Sequence, residues 1–121
     1  MNRQLEKKVI SLSEEFIKAQ KILTALGDEN RQHLIIEMMH MGDCNGVRVG
    51  EITEKTHLSR PAVSHHLQIL KDAGILKVRK EGTMNYYYFD PDTKSLDRLI
   101  HILNQTKEIM VSLPDRSGEH D

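Results

Sequence analysis

The sequence predicts a mainly α domain of α+β class, and three observations carry that expectation. Apolar residues recur at helical spacing through most of the 121 residues. The period switches to two only between Leu76 and Phe89, on either side of Glu81-Gly82-Thr83, which reads as one β-hairpin. Just ahead of that hairpin, a short helix and a longer one are separated by a tight turn.

Leu5, Val9, Leu12 and Phe16 fall at i, i+4, i+7 and i+11, and Leu23 and Leu26 extend the pattern. One long first helix is therefore expected, stopped by Gly27. Asp28 is the expected N-cap of a second helix, Glu29 to Met41, with Leu34, Ile35, Met38 and Met39 on its inner face. The two methionines read as core filling rather than as a ligand pocket. Gly42-Asp43-Cys44-Asn45-Gly46 is turn chemistry throughout.

Val47-Arg48-Val49 is expected as a very short strand, followed by a short helix from about Gly50 to Thr56 with Ile52 inward. Ser59 is an N-cap, Pro61 sits where a helix tolerates it, and Gly74 ends the helix after Ala73. Leu76 and Val78 alternate with Lys77 and Arg79, and Asn85 to Phe89 returns as an aromatic strand. A last helix, about 93–113, places Leu96, Leu99, Leu103, Met110 and Leu113 on one stripe. This order describes a winged helix-turn-helix: one domain over 1–113, the helix-turn-helix at about 50–73, the wing at about 75–89, and a flexible tail over 114–121.

Composition narrows the function classes. No apolar run reaches the length of a membrane span, and the first residues lack the apolar stretch of a secretory signal. The single cysteine, Cys44, has no partner for an internal disulfide, so a reducing, cytoplasmic setting is expected. Net charge is −1, but residues 55–85 carry +4, against −2 before them and −3 after. A positive middle between acidic ends suits a polyanion. Enzyme signatures are missing: no His-Glu-x-x-His, no Gly-rich phosphate loop, no Gly-x-Ser-x-Gly. Cys44 beside His40 and Asp43 reads as a surface loop rather than a nucleophile site.

The segment from Ser59 to Ala73 divides cleanly when wound at about 100° per residue. Arg60, Pro61, Ser64, His65, Gln68, Lys71 and Asp72 share one side, and Ala62, Val63, His66, Leu67, Ile69, Leu70 and Ala73 the other. The polar side offers donors and acceptors suited to base edges and phosphates of double-stranded DNA. The expected DNA-binding residues are Ser59, Arg60, Ser64, His65, Gln68 and Lys71, with Arg79 and Lys80 of the wing on phosphates. His66, on the apolar side, is expected to be a satisfied core histidine. The stripes Leu5, Val9, Leu12, Phe16 and Leu99, Leu103, Met110 exceed the needs of a small core, and they are the expected homodimer interface.

The run Val63-Ser64-His65-His66-Leu67-Gln68-Ile69-Leu70-Lys71-Asp72-Ala73-Gly74-Ile75-Leu76 resembles the recognition-helix signature of the ArsR/SmtB repressors. Lys80-Glu81-Gly82 with Tyr86-Tyr87 is similar to their wing, and Ala25-Leu26-Gly27-Asp28-Glu29-Asn30-Arg31 to the start of their second helix. The resemblance covers about residues 14–110. It implies a homodimeric, metal- or ligand-responsive transcriptional repressor whose first and last helices form the dimer interface.

The chain departs from the family's metal sites. Arg48 and Gly50 occupy the positions of the paired cysteines, and Pro91, Thr93, Asn104 and Lys107 roughly those of the last-helix ligands. Thiol-sensing members need two cysteines, and here there is one. No cofactor is expected. The residual metal candidate is Asp97 with His101, four apart on the last helix; the competing reading makes them a hydrogen-bonded pair. Two alternatives to a repressor released by an unknown signal, a small molecule or a protein, are a metal sensor with a non-standard site and a winged-helix protein-interaction module that does not bind DNA.

Overall fold

The computed structural model describes residues 2–42, 45–114 and 118. Six helices and a two-stranded sheet follow in the order α1 (Arg3–Lys18), α2 (Gln20–Leu26), α3 (Glu29–Met41), α4 (Val49–Thr53), α5 (Arg60–Asp72), β1 (Leu76–Glu81), β2 (Met84–Phe89) and α6 (Lys94–Ser112). The expected winged helix-turn-helix is the observed fold, with α4 and α5 as the helix pair and β1–β2 as the wing.

The core lies where α2, α3, α4, α5, the wing and α6 converge. Leu34, Ile52, Val63, Leu67, Leu70, Leu76 and Ile102 are its largest fully buried side chains. The strands pair antiparallel with Leu76 opposite Phe89 and Val78 opposite Tyr87, closing on the two-residue turn Gly82-Thr83. Tyr87 also exchanges both backbone hydrogen bonds with Val47, at 2.8 Å each, so the segment ahead of α4 is fastened to the wing.

Four expectations need correction. The first long helix is two helices. Ala19, 2% exposed, leaves helical geometry and donates its N–H to both Glu15 and Phe16. Alanine is the best helix former, so no local signal marks the break. Packing makes it: α1 lies along α6, while α2 turns to meet α3 and α5.

The strand at 47–49 reduces to the single Val47 bridge, and α4 starts at Val49 and ends at Thr53 rather than running from Gly50 to Thr56. Arg48 is extended, and its N–H donates to Glu51 Oε1 at 3.3 Å, which starts the helix early.

Of the methionine pair, Met38 fills the core and Met39 is 59% exposed, since the two neighbours point about 100° apart.

On α6 the core side is Ile102 and Ile109 with Leu99 half-buried, rather than a stripe through Leu96, Leu103, Met110 and Leu113, all of which are exposed. The expected tail at 114–121 lies almost wholly outside the described residues, as does Cys44.

Candidate nucleic-acid interface

The geometry of α5 starts from its N-terminus. Ser59 Oγ accepts the Ala62 N–H at 3.3 Å, and Pro61 occupies the first turn, where a missing N–H costs nothing. Val63, Leu67 and Leu70 anchor the inner side in the core. Arg60, Ser64, His65, Gln68 and Lys71 are therefore presented to solvent along one side of a rigid helix. Ser59, also exposed, spends one lone pair of its hydroxyl on the cap.

Not all of these side chains are equally free. Gln68 Nε2 donates to Asp72 Oδ1 at 2.9 Å one turn away, which fixes the amide along the helix surface. On the wing, Arg79 Nε donates to Glu81 Oε1 at 2.9 Å, and its guanidinium lies 4.9 Å from the Tyr86 ring centre. Lys80 is exposed, and among the described residues it has no ion-pair partner. The phosphate-facing candidates thus divide into one braced cation, Arg79, and one free one, Lys80.

Behind α5 lies a network that sequence reasoning missed. Arg31, only 7% exposed, donates from Nε to the Ala25 carbonyl and from Nη2 to the Thr24 carbonyl, both at 2.8 Å. Its Nη1 reaches His66 Nδ1 at 3.2 Å. A guanidinium can only donate, so Nδ1 is the acceptor and the ring proton sits on Nε2. Arg31 therefore joins the end of α2, the start of α3 and the recognition helix. Burial holds the His66 imidazolium form down, to a value below the usual one, with the Arg31 and His65 charges acting in the same direction and Asp28 opposing them. Asp28 caps α3 by accepting the Arg31 N–H at 3.0 Å, and that bond, aided by the Arg31 charge, lowers its carboxyl from the usual range. The signal available in the sequence was a histidine on the apolar side of α5, which requires a buried partner.

The expected dimer residues divide between two environments. Leu5, Val9, Leu12, Phe16 and Leu99 are half-buried; Leu12, Phe16 and Leu99 pack on the core of their own chain. Leu103 and Met110 are 55% and 67% exposed and continue into Ile100 and Val111, also exposed. Asp97 accepts a hydrogen bond from Thr93 Oγ1 at 3.1 Å rather than from His101, which is exposed. No group of three or more His, Cys, Asp or Glu among the described residues is arranged to hold a metal ion. Nor is any helix among them long and apolar enough to cross a membrane.

Residues 45–78, which hold the Val47 bridge, the helix pair and the first part of β1, match the profile of the bacterial regulatory proteins of the arsR family. The chain is 39% identical over 88 residues to the HTH-type transcriptional regulator MJ1325 of Methanocaldococcus jannaschii, covering 72% of this chain and 96% of that one. The chain belongs to the ArsR family.

Two further likenesses agree with that membership. The transcriptional repressor SdpR of Bacillus subtilis is 28% identical over 86 residues, 69% of this chain and 91% of SdpR. The solved structure of HlyU from Vibrio cholerae superposes with a TM-score of 0.52 at 30% identity, covering 72% of this chain and 91% of HlyU. This ArsR-family chain is accordingly a transcriptional regulator and not an enzyme.

Proposed function

We propose that this regulator binds an inverted-repeat operator in double-stranded DNA as a homodimer and represses transcription there until a signal releases it. One observation carries the reading: α5 anchors one side in the core through Val63, Leu67 and Leu70 and presents Arg60, Ser64, His65, Gln68 and Lys71 on the other. A helix held this way fits the major groove, which is wide enough to admit it and carries the full base code. Arg60, Ser64, His65 and Gln68 read base edges, while Ser59, Lys71, Arg79 and Lys80 hold phosphates. The exposed apolar surface of α6 around Leu103 and Met110, with α1 beside it, supports pairing of two chains. A two-fold dimer would place two α5 helices about 34–36 Å apart, one turn of DNA.

The likeness to SdpR, described as a repressor, supports repression, while the likeness to HlyU, described as an activator, keeps activation as the alternative. The reading expects the protein in the cytoplasm, beside its duplex target, and calls for no cofactor. The test is selection of a binding site from random duplexes, followed by affinity at several salt concentrations. A palindromic site whose affinity falls steeply with salt supports the proposal. Absence of salt-dependent duplex binding would leave a protein-interaction module instead.

A further inference from the structure

We propose that a second site, separate from the DNA-reading side of α5, binds a phosphate-type oxyanion in the cleft between the α1–α2 junction and the first turn of α6. This cleft of about 300 Å³ is walled by Lys18 and Lys21 on one side and by Lys94, Ser95 and Arg98 on the other, with Asp72 at the end of α5. Its floor is the buried Ala19, Ile22 and Ala73. The cations come from segments more than 70 residues apart in sequence, about the spacing of Lys21 and Lys94.

The charges are not balanced within the chain. Lys18 approaches Glu15 at 3.7 Å, but Lys21, Lys94 and Arg98 form no ion pair among the described residues. Asp72 is the one carboxylate in the wall, and its Oδ1 already accepts from Gln68. Three unpaired cations against one carboxylate leave a surplus of two positive charges. The carbonyl end of α5 contributes only about half a negative charge there. Lys94 and Arg98 lie four apart, so they share a side of α6 and repel each other. A bound dianion removes that repulsion and matches the surplus, and phosphate at neutral pH carries about −1.5 to −2.

The donor set suits oxygen atoms on a tetrahedral centre. Arg98 offers a planar fork, the lysines offer ammonium groups, and the half-buried Ser95 hydroxyl has no hydrogen-bond partner among the described residues. Gly74 sets the distance between the walls. It lies in the left-handed region at φ +82°, and a Cβ there would fall on Ser95 Oγ, so glycine lets α6 begin close against the end of α5. The cleft sits twelve residues along α5 from Arg60, or about 18 Å down the helix axis.

The oxyanion has two possible sources: a free phosphate compound, which supplies the dianion itself, or the DNA backbone, whose phosphodiesters carry one charge each so that two neighbouring ones match the surplus. One experiment separates them. The full chain is titrated with inorganic phosphate at physiological ionic strength while backbone amide shifts are followed by NMR. Saturable shifts centred on Lys21, Ser95 and Leu96, reduced by at least about tenfold in affinity in Lys21→Ala/Arg98→Ala and unchanged in Lys107→Ala, are expected. Both variants alter only exposed side chains, and an unchanged helical circular-dichroism spectrum confirms folding. The same double variant is then tested on a duplex selected by the wild type, in phosphate-free buffer. A salt slope lower by about one or two identifies a DNA phosphate, and an unchanged slope identifies a free oxyanion. Shifts that do not saturate, or that the double variant reproduces, overturn the proposal. Failure of the wild type to bind any duplex would instead remove the function proposed above and leave the phosphate titration readable.

Discussion

Arg31 Nη1 and His66 Nδ1 stand 3.2 Å apart across the interface between α3 and the recognition helix, and this bond exists only while the imidazole is neutral. The groups around His66 are Arg31 and Asp28 from the α3 side and His65 from its own helix.

This pairing makes stability depend on pH with a definite sign. Folding lowers the His66 value below its usual 6.5, with burial as the main cause. Below that pH the unfolded chain takes up the proton more readily than the folded one, so stability falls as pH drops. Above it, His66 contributes no slope. Denaturant midpoints measured from pH 7.5 down to about pH 5 should decline, and His66→Gln should flatten the decline, because its amide oxygen can still accept from Arg31. A variant with the wild-type slope would place the pH dependence elsewhere. Asp28, also lowered in the fold, adds a second decline only below its usual 3.8.

DNA reading should divide by residue. Arg60→Ala or His65→Ala is expected to cost about 1–3 kcal/mol on the selected operator and less on random duplex. Lys80→Ala should weaken all sequences alike and lower the salt slope by about one. Fluorescence anisotropy at three salt concentrations distinguishes the two patterns. Wild-type operator affinity in both Arg60→Ala and His65→Ala would show that another surface reads the bases.

Assembly should respond to the exposed side of α6. Leu103→Lys places a charge on a side chain that is 55% exposed in the single chain, so the monomer fold tolerates it. If this surface meets a second copy, sedimentation at micromolar concentration should shift from dimer to monomer. Operator affinity should then fall at least about tenfold, since half-site binding loses the avidity of a linked pair. A dimer of undiminished strength would move the interface elsewhere.

Gly74→Ala should be destabilising by about 1–3 kcal/mol from its left-handed backbone alone. The new Cβ also meets Ser95 Oγ. Adding Ser95→Ala should recover the steric part and leave the backbone part, as read from thermal midpoints of the single and double variants. Full recovery in the double variant would mean that the backbone carries no cost.

The legible parts of the molecule were those decided locally. The two sides of α5 follow from helical period, and every residue assigned to its polar side is exposed. The wing follows from the period-two pattern ending at Gly82. The break at Ala19 was invisible because alanine favours helix and only the diverging partners of α1 and α2 forbid it. On α6, Leu99, Ile102 and Ile109 compete with Leu96, Leu103 and Met110, so two adjacent apolar stripes are available and period alone cannot choose the inner one. Arg31 escaped notice because its acceptors are carbonyls of Thr24 and Ala25 and a ring 35 positions away. The basic cleft leaves no mark in the charge along the chain, because Lys18, Lys21, Lys94 and Arg98 fall in segments of net negative charge and meet only in the fold.

The pair of 2.8 Å hydrogen bonds between Val47 and Tyr87 has a mechanical consequence. It joins the strand that ends the wing to the chain that begins the helix pair, so hairpin and recognition helix share one lever arm. Adjustment to a bent or overwound operator then falls to the angle between protomers or to the duplex itself. The amide protons of Val47 and Tyr87 should be among the last to exchange with deuterium, and should stay so when DNA is bound.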